Sequence, residues 1–325
     1  MIIILALVYS LSFVFDPERK SSAFFAWLEP SMIPLADSVE ITGSGGLDGG
    51  FGGGAMEAYP GAGISLIRRN NVWFVSGGPA GREGEYPARQ SRVEDLLACL
   101  SQREAYTLRA VSKEGRERLG FRSGAAGNPG GIASRIMVRG GAGMPLLDLL
   151  VGSADVLGRE VYLKRADKNE VYSGEDRFTV YTESRPGFWY DLRLFPAAVS
   201  VASVQQADIV IPDGAAVSPP GSYTLLRNGL GWIMPGEAET DLDTVKVEGW
   251  LRSVLEAEAE DFGGLAAAQG SITLRLGDGS NLALYIGSAG EDGRCPAAVS
   301  GSGLEYMLPQ RTVNRLWRER DFFFR

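Results

Sequence analysis

The chain has 325 residues, of which 45% are hydrophobic and 22% are charged. This composition predicts about two globular domains and argues against a disordered or fibrous chain. The formal net charge of −8 and the isoelectric point near 4.9 argue against a nucleic-acid partner, because binding to phosphates needs a basic surface.

The chain contains no histidine, which excludes imidazole-based acid–base catalysis, histidine-activated nucleophiles and zinc sites that use imidazole. It has two cysteines, Cys99 and Cys295, too few for a thiolate metal site or a disulfide framework. Cys99 falls in a predicted helix, where we interpret it as a small buried hydrophobe. Cys295 falls in a predicted loop rich in glycine and proline. We therefore predict no metal, no cofactor and no disulfide.

The first fifteen residues, MIIILALVYSLSFVF, are uncharged and are followed by the charged residues 16–20. As a helix they would span about 22 Å, less than the roughly 30 Å of a hydrocarbon core. A cleaved signal peptide and a buried core element are alternatives. Because a basic n-region and a small-residue cleavage site are both missing, we favour an uncleaved single-pass anchor over residues 1–20. This interpretation also allows the anchor to start upstream of Met1. Its orientation is weakly determined.

Residues 21–36, SSAFFAWLEPSMIPLA, are aromatic and contain Pro30 and Pro34. The prolines argue against a second membrane span. We predict a juxtamembrane segment that leads into the soluble part of the chain.

A comparison of the two halves of the sequence after residue 36 predicts one β-rich module that occurs twice. Residues 64–75, ISLIRRNNVWFV, and residues 223–234, YTLLRNGLGWIM, each predict a hairpin whose second strand carries a tryptophan, Trp73 or Trp232. The predicted turns lie at residues 69–71 and 227–229.

One amphipathic helix follows each hairpin. Apolar residues recur at positions i, i+3, i+4 and i+7 in both copies, and Ser91 with Glu94 predicts a capping box at the start of the first helix. The apolar positions are Val93, Leu96, Leu97 and Leu100 in the first copy and Val247, Trp250, Leu251 and Val254 in the second.

Both copies continue with a second hairpin, whose outgoing strand ends at Gly152 or Gly287, and then with a short strand pair. The strand pairs are predicted at residues 161–163 with 171–172 and at residues 297–299 with 306–308. Both copies close on an aromatic segment that contains arginine, residues 188–195 and 317–323, in which we expect Trp189 and Trp317 to pack and the arginines to bond locally.

The module boundaries follow from this comparison. We predict the first module at residues 37–204, beginning with a strand at residues 39–41, and the second module at residues 205–325. The first module carries a glycine-rich insert at residues 43–63 and a polar loop at residues 112–131, which the second module lacks.

The remaining chemical signals are weak. The glycine run lacks the Gly-Lys-Ser/Thr ending of a phosphate-binding loop and precedes a predicted strand, so we do not predict a nucleotide site. We interpret the acidic residues between 256 and 261 as a solvated helix end, since glutamates two apart on a helix do not share a face. The carboxyl-terminal RTVNRLWRERDFFFR is interpreted as structural, with a final strand at Phe322–Phe323–Phe324 as an alternative. We predict no catalytic residues.

The pattern as a whole resembles the family catalogued as domain of unknown function 4340. The resemblance rests on the strand at residues 39–41, the hairpins around Trp73 and Trp232, the single helices, the strands ending at Gly152 and Gly287, and the closing aromatic segments. It implies a membrane-tethered component that faces the periplasm or cell exterior and works beside the permease and ATPase subunits of an ABC-type transport system of the gliding-motility kind.

We therefore expect an α+β fold: two tandem β-rich modules, each a mixed or antiparallel sheet with one main helix, preceded by an N-terminal transmembrane helix. The leading hypothesis for function is a non-enzymatic, membrane-anchored auxiliary protein of such a system. The alternatives are an envelope structural or ligand-binding protein unrelated to transport and a hydrolase that uses carboxylates.

Overall fold

The computed structural model describes residues 22–43, 63–76, 84–121, 133–155, 157–182, 186–213, 221–236, 242–264 and 267–324. The chain divides into two compact units, Met1–Asp191 and Leu192–Arg325, called here the first and the second unit. The predicted anchor at residues 1–20 lies outside the described residues. Within the described ranges, no helix is both long enough and apolar enough to cross a membrane.

The first unit is built on an antiparallel sheet. In the described part of the chain the sheet has ten strands in the order β1-β6-β10-β9-β8-β7-β2-β3-β4-β5. The strands are β1 Ser22–Phe25, β2 Ala36–Thr42, β3 Ile64–Arg69, β4 Val72–Ser76, β5 Glu85–Pro87, β6 Glu104–Ala110, β7 Ser134–Gly140, β8 Pro145–Ala154, β9 Glu160–Arg165 and β10 Val171–Glu175. The helices are α1 Gln90–Ser101, α2 Lys113–Arg118 and α3 Pro186–Trp189, with 3-10 helices at Pro30–Leu35, Gly141–Gly143 and Thr179–Thr182.

The second unit is built on another antiparallel sheet. Its eight strands, counted over the described residues, follow the order β13-β12-β11-β15-β16-β17-β18-β14. The strands are β11 Val204–Ile211, β12 Gly221–Asn228, β13 Gly231–Ile233, β14 Asp261–Phe262, β15 Ala268–Leu276, β16 Asn281–Gly287, β17 Arg294–Val299 and β18 Glu305–Pro309. The helices are α4 Thr244–Leu255 and α5 Gln310–Leu316, with 3-10 helices at Val201–Ser203 and Arg320–Phe323.

The two sheets share one strand order. Without its outermost strands β1 and β5, the first sheet runs β4-β3-β2-β7-β8-β9-β10-β6, and the second runs β13-β12-β11-β15-β16-β17-β18-β14. In chain order a helix of twelve residues follows the tryptophan hairpin of each unit: α1 lies between β4 and β6, and α4 lies between β13 and β14. The predicted β-rich fold with antiparallel sheets is confirmed.

The two tryptophan hairpins differ at their turns. Asn70 and Asn71 join β3 to β4 with φ angles of 50° and 65°, the left-handed pair that a two-residue hairpin turn needs and that asparagine tolerates. In the second unit Gly229 takes the left-handed position with φ 59°, and Leu230 completes the turn. That turn lies one to two residues further along the chain than predicted.

The apolar stripes of the two main helices face their sheets as predicted. All eight predicted positions are buried, four in α1 and four in α4. The predicted capping box of α1 is wrong, because the helix begins one residue before Ser91. The Gln90 side chain accepts from the backbone N–H of Trp73 and donates to its carbonyl, so contacts from the hairpin determine where the helix starts.

The predicted juxtamembrane segment is part of the first unit. Its residues form β1, which pairs with β6, and then the 3-10 helix Pro30–Leu35. Trp27 and Leu28 are buried, and the Leu28 N–H donates to the carbonyl of Leu100 at the end of α1.

An equivalent segment opens the second unit. Leu192 accepts from the N–H of Ala259, and the N–H of Leu194 donates to the carbonyl of Ala257, just after α4 ends. These residues were predicted to close the first module. The unit boundary after Asp191 accordingly lies ahead of residue 204, where the sequence comparison ended that module.

Three local predictions need correction. Cys295 lies in strand β17 and not in a loop. The predicted polar loop at residues 112–131 contains helix α2, which Ser112 caps by accepting from the N–H of Gly115. Phe322 and Phe323 belong to a 3-10 helix and not to a final strand. Most of the predicted glycine-rich insert, residues 44–62, lies outside the described residues.

Candidate functional site

An arginine stacked on the hairpin tryptophan organises one corner of the second unit. Arg227 lies directly opposite Trp232, with its guanidinium carbon 4.5 Å from the ring centre. Its Nε donates to the carbonyl of Val204 and its Nη2 to that of Val201, each over 3.0 Å. Its Nη1 lies 3.6 Å from Oε1 of Glu248 on α4. One side chain thus ties the hairpin, the 3-10 helix and the main helix together.

The first unit repeats this arrangement in a looser form. Arg68 lies opposite Trp73, with its guanidinium carbon 5.8 Å from the ring centre. Its Nη1 donates over 3.3 Å to the carbonyl of Pro34 in the 3-10 helix. The arginine precedes the tryptophan by five residues in both units, a spacing that was visible in the sequence and that the sequence analysis did not use.

The start of each main helix is held by the same pair of backbone hydrogen bonds. In the first unit, the N–H of Ala88 donates to the Trp73 carbonyl and that of Arg89 donates to the Trp189 carbonyl. In the second unit, the N–H of Leu242 donates to the Trp232 carbonyl and that of Asp243 donates to the Phe323 carbonyl.

This bonding corrects how the two closing segments correspond. The residue that occupies the place of Trp189 is Phe323, whereas the sequence comparison had matched Trp189 with Trp317. Trp189, Trp317 and Phe323 are all buried, so the predicted packing of both tryptophans is confirmed. The backbone around each helix start is bonded within its own unit, which is the geometry of a structural joint.

A buried aromatic cluster with two titratable groups lies under β1. Tyr106 is fully buried, and its ring centre lies 4.9 Å from that of Phe25 and 5.2 Å from that of Trp27. Burial raises the pKa of Tyr106, and the nearby Glu104 carboxylate adds to the shift. The phenol therefore stays protonated at neutral pH.

Glu104 forms an ion pair at the edge of this cluster. Its Oε1 lies 2.6 Å from Nη1 of Arg177, although the two atoms are poorly aligned for a hydrogen bond. Arg177 also binds Glu175 through Nη2 over 2.8 Å. The guanidinium of Arg177 thus pairs with both carboxylates within the unit.

Both cysteines are free thiols. Burial raises the pKa of Cys99 to about 11, with the Glu104 charge adding to the shift and Arg177 opposing it. Burial also raises the pKa of Cys295, and its thiol donates to Oε1 of Gln310 over 3.3 Å. A thiol with a raised pKa is a poor nucleophile at neutral pH, because the thiolate is the reactive form.

The acidic residues between 256 and 261 follow directly on α4, which ends at Leu255 and is capped by Glu256. Glu256, Glu258 and Glu260 are exposed to solvent, as predicted, and alternate with the buried Ala257 and Ala259. Glu260 pairs with Arg311 over 3.1 Å. Over the described residues, no group of three or more acidic or cysteine side chains is placed to hold a metal ion.

Two strand aspartates are held by neighbouring side chains. In the first unit, Arg135 binds Asp148 through two hydrogen bonds of 2.7 and 2.6 Å. In the second unit, Asp208 accepts from Gln206 over 2.9 Å and from Thr224 over 2.7 Å. Asp148 is therefore paired with a cation, whereas Asp208 is held by uncharged donors.

A family model described as domain of unknown function (DUF4340) matches residues 81–275. The chain belongs to this family. The DUF4340 match begins ahead of α1 in the first unit and ends in β15 of the second, so it runs across the unit boundary. No curated protein and no solved structure matches the chain.

Proposed function

We propose that this chain is a membrane-anchored, non-catalytic auxiliary or interaction protein of an ABC-type transport or gliding-motility-like envelope system. The observation that carries the proposal is the membership in DUF4340, in a chain whose residues 1–15 are uncharged and mostly apolar. In this proposal the permease and the ATPase are separate subunits, and the soluble part lies on the periplasmic or outer side of a single-pass anchor.

The proposal includes two tandem copies of one module. Its support is the shared strand order, the arginine stacked on a tryptophan five residues later, and the matching backbone bonds at the start of each main helix. We place the copies at residues 22–191 and 192–324, because an extended segment paired beside the main helix opens each unit.

The absence of histidine and the protonated state of the two thiols support a non-catalytic role. The chain has no histidine to serve as a general base, and burial keeps the Cys99 and Cys295 thiols protonated at neutral pH. Arg227 and Arg177, the most engaged of the guanidinium groups described above, bind groups within their own units. Two rigid β-rich bodies of this kind suit the presentation of surfaces to other subunits.

The first experiment is crosslinking of the full-length chain in native membranes, followed by mass spectrometry of the co-purified proteins. The matched variant replaces residues 1–15 by a cleavable signal and leaves both units intact. Enrichment of a permease and its ATPase, lost in the variant, is the expected result. Recovery of the chain alone, or with wall material, contradicts the proposal and favours an envelope structural or ligand-binding protein.

A second measurement addresses the non-catalytic part of the proposal. The purified chain should not hydrolyse ATP, because it carries no phosphate-binding loop ending in Gly-Lys-Ser/Thr. Hydrolysis that persists after removal of contaminating ATPases would overturn this part.

A further inference from the structure

The chain reaches the first unit at one identifiable end of its sheet. Strand β1 runs antiparallel to β6, with Ser22 opposite Thr107. The residues before Ser22 therefore arrive from the side on which β6 ends. Strand β6 ends at Ala110, three residues and about 10 Å beyond Thr107.

Helix α2 stands at this same end of the sheet. It begins at Lys113, directly after β6, and a side-chain carbon at Gly115 would lie 2.9 Å from that of Ala110. The segment that follows α2 places Phe121 in a buried cluster with Ala110 and Val171. The close approach at Gly115 and the burial of Phe121 hold the helix against the sheet, and Lys113, Glu114 and Arg118 are exposed.

Two segments at this end of the unit carry a small excess of basic side chains, although the chain as a whole has a net charge of −8. The segments 113–118 and 164–170, KEGRER and KRADKNE, hold six basic and four acidic side chains, and one of the basic side chains, Lys164, is buried. Lys113 and Arg118 are exposed, and Lys113 has only a 3.9 Å pairing with Glu117. Attraction to an anionic surface acts through such exposed basic groups.

The second unit lacks this feature. Between β14 and β15, where the first unit inserts α2 between β6 and β7, the sequence GGLAA carries no charge. Because the two sheets share one strand order, the basic helix is an addition specific to the unit that follows the apolar segment.

We propose that α2 contacts the anionic headgroup surface of the membrane that holds the amino-terminal segment. The contact rests on the anchor of the proposed function. Ser22 lies seven residues after Phe15, and seven residues can span at most about 25 Å, so an anchor ending at Phe15 holds Ser22 within that distance of the bilayer. The side of the sheet nearest the bilayer is then the side that carries α2, and its exposed basic groups match the negative charge of the lipids.

The experiment measures hydrogen exchange of residues 111–121 in the full-length chain, reconstituted in nanodiscs of phosphatidylcholine alone or mixed with phosphatidylglycerol. We expect slower exchange in the anionic discs, and we expect the variant Lys113→Gln/Arg118→Gln to lose this protection. Each basic side chain at an anionic surface contributes about fivefold to the contact. The matched control is Arg311→Gln/Arg315→Gln on α5 of the second unit, which should keep the protection.

Equal exchange in the two lipid compositions overturns the contact, and so does protection that survives in the Lys113→Gln/Arg118→Gln variant. Alkaline carbonate extraction of the same membranes tests the anchor separately. A chain that stays in the membrane with an unprotected α2 contradicts the contact alone. A chain that carbonate extracts contradicts the anchor of the proposed function and, with it, the contact.

Discussion

Replacing the stacked arginine should destabilise the second unit more than the first. The paired variants are Arg227→Met and Arg68→Met, which keep an unbranched apolar side chain and remove the guanidinium. The positions are equivalent, since each arginine lies opposite the hairpin tryptophan of its own unit. The difference in cost therefore reports the different bonding of one side chain in two related settings.

The expected magnitudes follow from the contacts. Arg227 loses two partly buried hydrogen bonds of 3.0 Å, a ring contact at 4.5 Å and the pairing with Glu248. Hydrogen bonds to charged groups contribute about 1.5–3 kcal/mol each and are not additive within a network, so we expect a loss of about 3 kcal/mol. Arg68 loses one exposed bond of 3.3 Å and a ring contact at 5.8 Å, which predicts about 1 kcal/mol.

Native-state hydrogen exchange separates the two units in one experiment. Amides of β12 and β13 report on the second hairpin, and those of β3 and β4 report on the first. A difference of about 2 kcal/mol corresponds to roughly thirtyfold in the opening equilibrium. Arg227→Met should accelerate exchange in its hairpin by that factor more than Arg68→Met does in its own.

Equal acceleration in the two hairpins would refute this reasoning, because the bonding of the two guanidinium groups would then not determine the stability of the corner. A larger effect of Arg68→Met would refute it as well.

Three further outcomes follow from single contacts. Gly174→Ala places a carbon 2.6 Å from the Tyr106 ring and should cost about 1–3 kcal/mol in urea unfolding. Asp243→Ala removes the cap of α4, whose carboxylate accepts from two helix N–H groups, and should lower stability by about 1 kcal/mol, whereas Ser91→Ala at the wrongly predicted cap of α1 should be nearly neutral. The pKa of the Cys99 thiol is raised from 9.0 to about 11, so the thiol should react with iodoacetamide far more slowly at pH 8 in the folded chain than in the unfolded chain. The stability linked to this raised pKa should be complete below pH 9 and be lost as the pH rises towards 11.

Each of these outcomes has a matched comparison. Gly221→Ala, where a side-chain carbon meets nothing within 4 Å, controls for the loss of a glycine in a strand. A Ser91→Ala variant as destabilised as Asp243→Ala would contradict the assigned helix starts. A Cys99 reaction rate that is the same in the folded and unfolded chain would contradict the burial of the thiol.

Local pattern was sufficient for the two main helices, for the tryptophan hairpins and for their order along the chain. The positions i, i+3, i+4 and i+7 identified the buried stripes of α1 and α4, because a helix brings these positions to one face whatever it packs against. Alternating apolar residues on either side of polar turns identified the hairpins around Trp73 and Trp232 for the same reason.

The candidate sites were less accessible to the sequence. Glu256, Glu258 and Glu260 alternate with buried alanines because α4 ends at Leu255, and nothing in their spacing shows where the helix ends. Cys295 lies in a strand because it pairs with Leu308 of β18, although the neighbouring glycines and a proline favour a loop. The role of Arg68 and Arg227 depends on carbonyl groups more than twenty residues away.

By itself the sequence determined that this protein is built from two similar series of strands, each with one main helix, because strand and helix periodicity are properties of neighbouring residues. Where each unit begins was decided only by the tertiary structure. Leu28 bonds to Leu100 and Leu192 bonds to Ala259, so the opening segments gain their place from partners more than sixty residues away. Such pairings depend on how the sheets are assembled, so the pattern of neighbouring residues does not predict them.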